Sequence, residues 1–314
     1  MATATVPTPT RSADPPRRRG LTVAKKRQYR AAYLFVLPFF VIFLAMIIVP
    51  LAYAGYLSFF RRQLIGGVSF VGFENYAKAL TDASFLSSVA RMAGFLVVQV
   101  PVMLGLSLFF ALALDSGMTR LSKIIRLGIF VPYAVPSVVA ALMWGYLYGP
   151  DFGPFAQVAG LLGLPAPPFL TSTGMFFSII NVVNWEFIGY NMIIIYAALR
   201  SIPPELYEAG RVDGASEKRI AWSIKIPHVR PALVLTVIFS VIGTFQLFNE
   251  PNLLRTVAPT VIGNAYTPNL YAYSLAFVNQ DVNYAAAIAF LLGIVIMALS
   301  YAVQLWNQRK ENRS

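Results

Sequence analysis

The chain has 314 residues, 57% of them hydrophobic and only 12% charged, whereas soluble domains carry about 25% charged residues. A mean hydropathy of +0.64 excludes a soluble nucleic-acid binder, despite the net charge of +12, and also excludes a chain disordered beyond its ends. With no cysteine, one histidine (His228) and no G-x-x-x-x-G-K-[ST] phosphate loop, thiolate and multi-histidine metal sites and a cysteine nucleophile are excluded, and any ATP used must be hydrolysed by another polypeptide.

Residues 1–28, rich in Pro, Thr, Ala and Arg, read as a disordered basic tail, followed by a transmembrane unit over 29–306 and a tail over 307–314. A membrane-spanning helix needs about 20 apolar residues. Charge-free runs cover 31–60, 92–114, 127–150, 231–249 and 282–308. One more run turns apolar near Gly174 and reaches Leu199, interrupted by Glu186 alone. Six spans are therefore predicted, at about 31–59, 87–114, 127–149, 175–199, 232–250 and 284–306. Ala52-Tyr53-Ala54 has the form of a signal-cleavage site, but the apolar stretch before it is about twice the 7–15 residues of a secretory core, so it reads as a span. The prolines in or near the spans (Pro38, Pro50, Pro101, Pro132 and Pro136) read as kinks. Ten-residue alternating strands are absent, which makes this an all-α integral membrane protein. Twenty Lys and Arg fall in the two tails, the loop between spans two and three and the loop between spans four and five, against four on the other side. Positive charge marks the cytoplasmic side, so both termini are predicted there. The basic balance is thereby assigned to topology, with membrane lipid and no nucleic acid as partner.

The loop over 200–231 carries the strongest local signal. Ser201 can cap a helix pre-organised by Pro203 and Pro204, with Glu205 and Glu208 near its positive start. Gly214 after Asp213 reads as a left-handed stop, Ser216 as the cap of a second short helix, and Pro227 as that helix's end. Pattern alone leaves two readings open: an amphipathic connector resting on the membrane surface, or a docking knob.

Glu208-Ala209-Gly210, then Gly214, then Ile224-Lys225-Ile226-Pro227 resemble the spaced E-A-A, G and I-x-L-P motif of bacterial ABC importer permeases, with Gly210 for the second Ala and Ile226 for Leu. Phe70-Val71-Gly72-Phe73-Glu74-Asn75-Tyr76 looks like the F-x-G-x-x-N-[YF] of carbohydrate permeases. Thr267 to Tyr273, Ala276-Phe277 and Tyr284 to Ala287 are similar to the end of those proteins. The resemblance to maltose-type and multiple-sugar permeases covers nearly the whole chain after residue 30. It implies a type I ABC importer permease fold in a bacterial plasma membrane and a non-enzymatic subunit with no cofactor of its own. ATP and Mg would be used by two separate ATP-binding subunits. A second permease, usually a different chain in such systems, and an extracytoplasmic sugar-binding protein complete the implied partners. The ATPase-docking residues implied are Glu205, Glu208, Ala209, Gly210, Asp213, Gly214, Ile224 and Pro227, with motion passed on to spans four and five.

Sugars present many hydroxyls and no charge, so a pathway should offer amides and aromatic rings. Span four supplies Asn181, Asn184 and Asn191 on one helical face, with Glu186 and Tyr190 nearly opposite. The two faces are not expected to line one pore. By the resemblance Tyr190 is the candidate sugar contact, and the asparagines read equally as pathway or as interhelical hydrogen bonds. Glu186 reads either as a buried partner for another subunit or as a sugar contact. Thr244, Gln246, Asn249 and Glu250 sit toward the outer end of span five; Trp185, Phe245 and Phe248 could stack on a sugar ring or simply pack. The alternative overall reading is a self-sufficient secondary transporter, which would need no docking helix and often shows internal repeats, of which none is evident. No catalytic constellation for an intramembrane enzyme and no metal site is read.

Overall fold

A computed structural model describes residues 23–63, 66–116 and 121–311. The predicted tail lies outside the described residues up to position 22, but Val23 already opens α1 (Val23–Phe43). A π turn, Leu44–Ile48, joins α1 to α2 (Val49–Ser58). The chain divides into two units, one ending at Tyr53 and the other beginning at Ala54. In the first unit Leu34, Phe35, Phe39 and Met46 are all exposed, a surface suited to hydrocarbon rather than water.

The second unit opens with a hairpin of β1 (Phe60–Gln63) and β2 (Gly67–Phe70), Phe60 opposite Phe70. Gly72 turns the chain at φ +55° into α3 (Glu74–Ala79). There the buried Asn75 amide donates to the carbonyls of Ser58 and Phe60, both at 2.8 Å, and the Tyr76 hydroxyl meets Ser58 Oγ at 2.7 Å. The F-x-G-x-x-N-Y segment is thus a local clasp that satisfies carbonyls where α2 ends.

Next come α4 (Ala83–Asp115), α5 (Ser122–Phe130), a 3-10 turn (Val131–Ala134), α6 (Ser137–Leu147), α7 (Pro154–Leu161) and α8 (Met175–Leu199). Then α9 (Pro204–Val212), α10 (Glu217–Ile220), a π turn (Ala221–Lys225) and α11 (Ile226–Phe245) follow. The chain closes with α12 (Asn249–Val257), α13 (Pro268–Tyr273), a π turn (Ser274–Val278) and α14 (Val282–Glu311). Among the described residues five helical stretches are long and apolar enough to cross a membrane, six if a bent pair counts as one span.

Two predicted spans are corrected. The span expected at 127–149 is broken: 122–134 and 137–147 meet at 97°. Pro136 disfavours helix at the residue before it, and Val135 is extended (φ −77°, ψ 126°). The span expected at 232–250 ends earlier, at Phe245. Phe248 leaves the helical region (φ −140°), and α12 starts afresh after the break.

Pro227 does not end a helix either: α10, the π turn and α11 run on through it. The π turns 44–48 and 221–225 each stop two residues before a proline, Pro50 and Pro227. A wider turn makes room for the ring and asks for no N–H at that place. The core is built on α4 against α8, flanked by α11 and α14. Its main cluster gathers Met92 and Phe95, Met175 and Ile179, Val241 and Phe245.

Candidate functional site

Two features stand out: a cavity within the bundle and a projecting elbow made by the 200–231 loop. The cavity encloses about 340 Å³ and is lined from α4, α8, α11 and the break before α12. Phe95, Gln99 and Met103 come from α4; Val183, Phe187, Tyr190 and Asn191 come from α8. Thr244, Gln246, Asn249 and Glu250 close the other side.

Tyr190 and Asn191 therefore share one cavity, contrary to the expectation that the two faces of span four cannot line one pore. Adjacent residues lie about 100° apart on a helix, and the cavity faces the seam between them. Tyr190 stacks on Tyr133 (4.7 Å between ring centres, 21° between planes). The Asn191 amide donates to Phe187 O at 2.9 Å.

Asn184 is buried and does not line the cavity; it accepts from Gln99 Nε2 at 3.1 Å. Here the interhelical reading describes the geometry. Ser107 adds a second link, donating to Ile188 O at 3.0 Å. Asn181 donates to the Tyr148 hydroxyl at 2.7 Å, away from the cavity. Gln99, Met103 and Ser107 were not picked out from sequence, because a single Gln or Ser in an apolar run has no periodic signature. Glu186 is 3% exposed, also off the cavity, and its carboxyl lies beside that of Glu250.

The broken backbone beside the cavity is held from outside. Thr267 donates to Leu247 O at 3.0 Å while capping α13, and Asn269 donates to Gln246 O at 3.1 Å. Non-helical backbone at membrane depth persists only where its polar groups are met. The Thr267-Pro268-Asn269 stretch supplies that. Asn249 donates to Ser137 Oγ at 2.8 Å, joining the starts of α12 and α6.

In the elbow, Ser201 caps nothing ahead of it. Its hydroxyl donates back to Ala198 O at 2.8 Å, finishing α8, and α9 starts from Pro203. Gly214 is left-handed at φ +76°, and Ser216 accepts from Arg219 N at 3.4 Å, both as the local sequence predicts. Glu205, Glu208, Ala209, Asp213 and Gly214 are exposed, as is Pro227, and Val212 is 87% exposed. Gly210 and Ile224 face inward: a Cβ on Gly210 would meet Ile224 Cδ1 at 3.4 Å and Ile220 Cγ1 at 3.5 Å. Those are ordinary contact distances, so Gly210→Ala should be tolerated, whereas Gly210→Leu should part α9 from α10. Unequal thermal midpoints of the two variants, with alanine near wild type, would check this.

The elbow rests on a buried base of Ala111, Leu114, Ile195, Leu199, Ile202 and Val229, with Tyr207 and Ile224 packed against it. Burial raises the Tyr207 phenol above its ordinary 10.0; the Asp115 charge adds to this and Arg200 offsets it.

A helical bundle with a held break, a cavity and a free elbow is the setting in which comparison with known proteins becomes informative. Residues 103–313 match the family described as binding-protein-dependent transport system inner membrane component. The chain belongs to that family. This permease is 31% identical to the arabinooligosaccharides transport system permease protein AraP of Bacillus subtilis (strain 168), over 90% of this chain and 89% of that one. It is 28% identical to the trehalose/maltose transport system permease protein MalF of Thermococcus litoralis, over 88% and 93%. To the sn-glycerol-3-phosphate transport system permease protein UgpA of Agrobacterium fabrum it is again 28% identical, over 85% and 91%. Its fold matches a chain of a bacterial ABC transporter involved in the import of the acidic polysaccharide alginate, with a TM-score of 0.81 at 20% identity, covering 90% of this chain and 96% of that one. The permease is thus a multi-pass membrane transport component, and the reading as a self-sufficient secondary transporter is not favoured.

Proposed function

We propose that this permease forms half of the translocation pathway of an ATP-driven sugar importer and is worked by a separate ATPase gripping its α9 elbow. The observation that carries the reading is the elbow itself: an exposed acidic and small-residue face, Glu205, Glu208, Ala209 and Asp213, on a buried base. A short helix presented on a rigid seat suits a cleft in a partner. Closure of two ATP-binding subunits around ATP and Mg would then move the elbow and switch the bundle between inward-open and outward-open states.

The importer would comprise a second permease, two ATP-binding subunits and an extracytoplasmic sugar-binding protein, with both termini of this chain and the elbow in the cytoplasm. In the bundle, Tyr190, Asn191, Gln246 and Asn249 would meet the sugar. Apart from Glu250, the polar residues lining the cavity are amides and hydroxyls, which suits a solute rich in hydroxyls. Asn184 would act through Gln99, and Glu186 would face a neighbouring subunit rather than the sugar.

The test is reconstitution in vesicles. The chain alone should move no sugar uphill, while the complex isolated with its ATPase should do so when ATP is enclosed. Concentrative uptake by the chain alone would overturn the reading. Within the complex, Glu208→Ala and Gly214→Val should each lower uptake and sugar-stimulated ATP hydrolysis about tenfold, the equivalent of about 1.4 kcal/mol of coupling. Unchanged rates in both variants would remove α9 as the docking element.

A further inference from the structure

The elbow is tied to the bundle by one polar contact that its docking role does not require. Asp115 is the last residue of α4, and Lys225 closes the π turn between α10 and α11. Their side chains meet at 2.7 Å, only 5% and 7% exposed. The Lys225 ammonium also stands 5.1 Å from the centre of the Tyr207 ring, on α9. The Tyr207 hydroxyl in turn donates to Leu199 O, at the end of α8, at 3.5 Å. One ion pair thus gathers the ends or turns of α4, α8, α9 and the α10–α11 helix.

Such a pair is a poor source of stability. Removing two charges from water costs several kcal/mol per ion, and apolar replacements of similar volume are often neutral or stabilising. What it supplies, and apolar packing does not, is direction. The cluster around it, which gathers Ala111 and Leu114 of α4 with Ile202, Tyr207 and Ile224, offers apolar surfaces of the kind that slide in shear motions. A charge pair sealed among them fixes the register of the elbow on α4. The π turn contributes, since its extra residue sets how Lys225 is phased relative to α11.

We propose that the Asp115–Lys225 pair is the joint that makes the elbow and the adjoining end of α4 move as one body. Force received at α9 then reaches the second span directly, as well as the two spans that flank the loop. Asp115 and Lys225 are positioning residues: they touch neither the solute pathway nor the exposed face of α9. The proposal rests on the reading of α9 as the ATPase-docking element.

The experiment uses the complex isolated with its ATPase subunits and reads the ratio of sugar-stimulated to basal ATP hydrolysis. The double variant Asp115→Leu with Lys225→Met removes both charges and leaves none unpaired. It should assemble with the ATPase in the wild-type amount, yet its stimulation ratio should fall about fivefold or more, the scale of a coupling free energy. Lys225→Arg keeps the charge and should keep the ratio. A double variant that assembles and couples like wild type would mean the pair only fills space, and would overturn the proposal.

Should the double variant fail to assemble, the chain's lack of cysteine offers a second measurement. Asp115→Cys with Lys225→Cys, bridged by a reducible bifunctional thiol reagent, should regain stimulation when bridged and lose it again on reduction. Stimulation that is indifferent to the bridge, or blocked by it, would show that the two elements need not, or must not, move together. A wild-type chain that binds no ATPase overturns the docking reading and this proposal with it; normal coupling in the double variant overturns this proposal alone.

Discussion

Gly189→Leu should leave no monodisperse protein after extraction into detergent, and Gly189→Ala should lower the thermal midpoint. A Cβ at position 189 would lie 2.1 Å from Ile129 O, 2.7 Å from Ile129 C and 2.7 Å from Phe130 Cα. These are backbone atoms, which cannot swing aside as the tip of a side chain can. At this point α8 crosses the end of α5 and the 3-10 turn that leads into the broken third span. Inserting atoms into packed interiors costs about 1–3 kcal/mol and occasionally more, and here the whole broken segment would have to lift off α8. Gly293→Ala in α14 is the control, because nothing lies within 4 Å of its Cβ position. A helical Gly→Ala change gains roughly 0.5–1 kcal/mol, so its midpoint should hold or rise. A Gly189→Leu protein with the wild-type midpoint would refute the close crossing.

That crossing marks what the sequence could not display. Four charge-free runs, and one interrupted by Glu186 alone, located five long apolar helices because a bilayer rejects charge along a contiguous stretch, a one-dimensional property. The third run, 127–150, is equally apolar and gave no warning of a 97° break. Pro132 and Pro136 were legible as kinks, but the close approach of the segment to α8 is made at Gly189, distant in sequence. The end of α11 was likewise hidden: its break is stabilised by Thr267 and Asn269, far along the chain. In the elbow, capping chemistry was legible at Gly214 and Ser216 because it is local. Ser201 and Pro227 misled because a serine hydroxyl can turn back to the preceding helix and a π turn can absorb a proline. The cavity was half legible. Residue types pointed to α8, but helical phase alone could not say that the cavity faces the seam between Tyr190 and Asn191. The Asp115–Lys225 pair was legible only as two charges bordering apolar runs.

Asp82→Leu should be a strongly destabilising change outside the cavity and the elbow. One carboxylate there serves four donors. Oδ1 accepts from Ser84 N at 2.8 Å and Phe85 N at 3.3 Å, capping α4. Oδ2 accepts from the Tyr271 hydroxyl at 2.6 Å and the Tyr284 hydroxyl at 2.7 Å, so the start of α4 is bound to α13 and α14. Lys78 completes the group, 3.9 Å from the centre of the Tyr284 ring. Hydrogen bonds to a charged group contribute about 1.5–3 kcal/mol each, so losing the two phenol bonds alone should cost about 3 kcal/mol, and the lost cap about 1 kcal/mol more. Asp82→Asn keeps the shape and loses the charge, and should fall between. Burial raises the Asp82 carboxyl, but the Tyr271, Tyr284, Phe85 and Ser84 donors outweigh it and hold it below the ordinary 3.8. A carboxyl depressed in the folded state contributes stability that is complete above its unfolded value and is lost as pH falls through the folded one. The midpoint gap between wild type and Asp82→Asn should therefore be widest at neutral pH, begin to narrow as the pH drops below 3.8 and close only below the lower folded value. A gap that persists through that acid window would mean the aspartate acts through shape alone, and that the phenols bind the asparagine amide as firmly as the carboxylate.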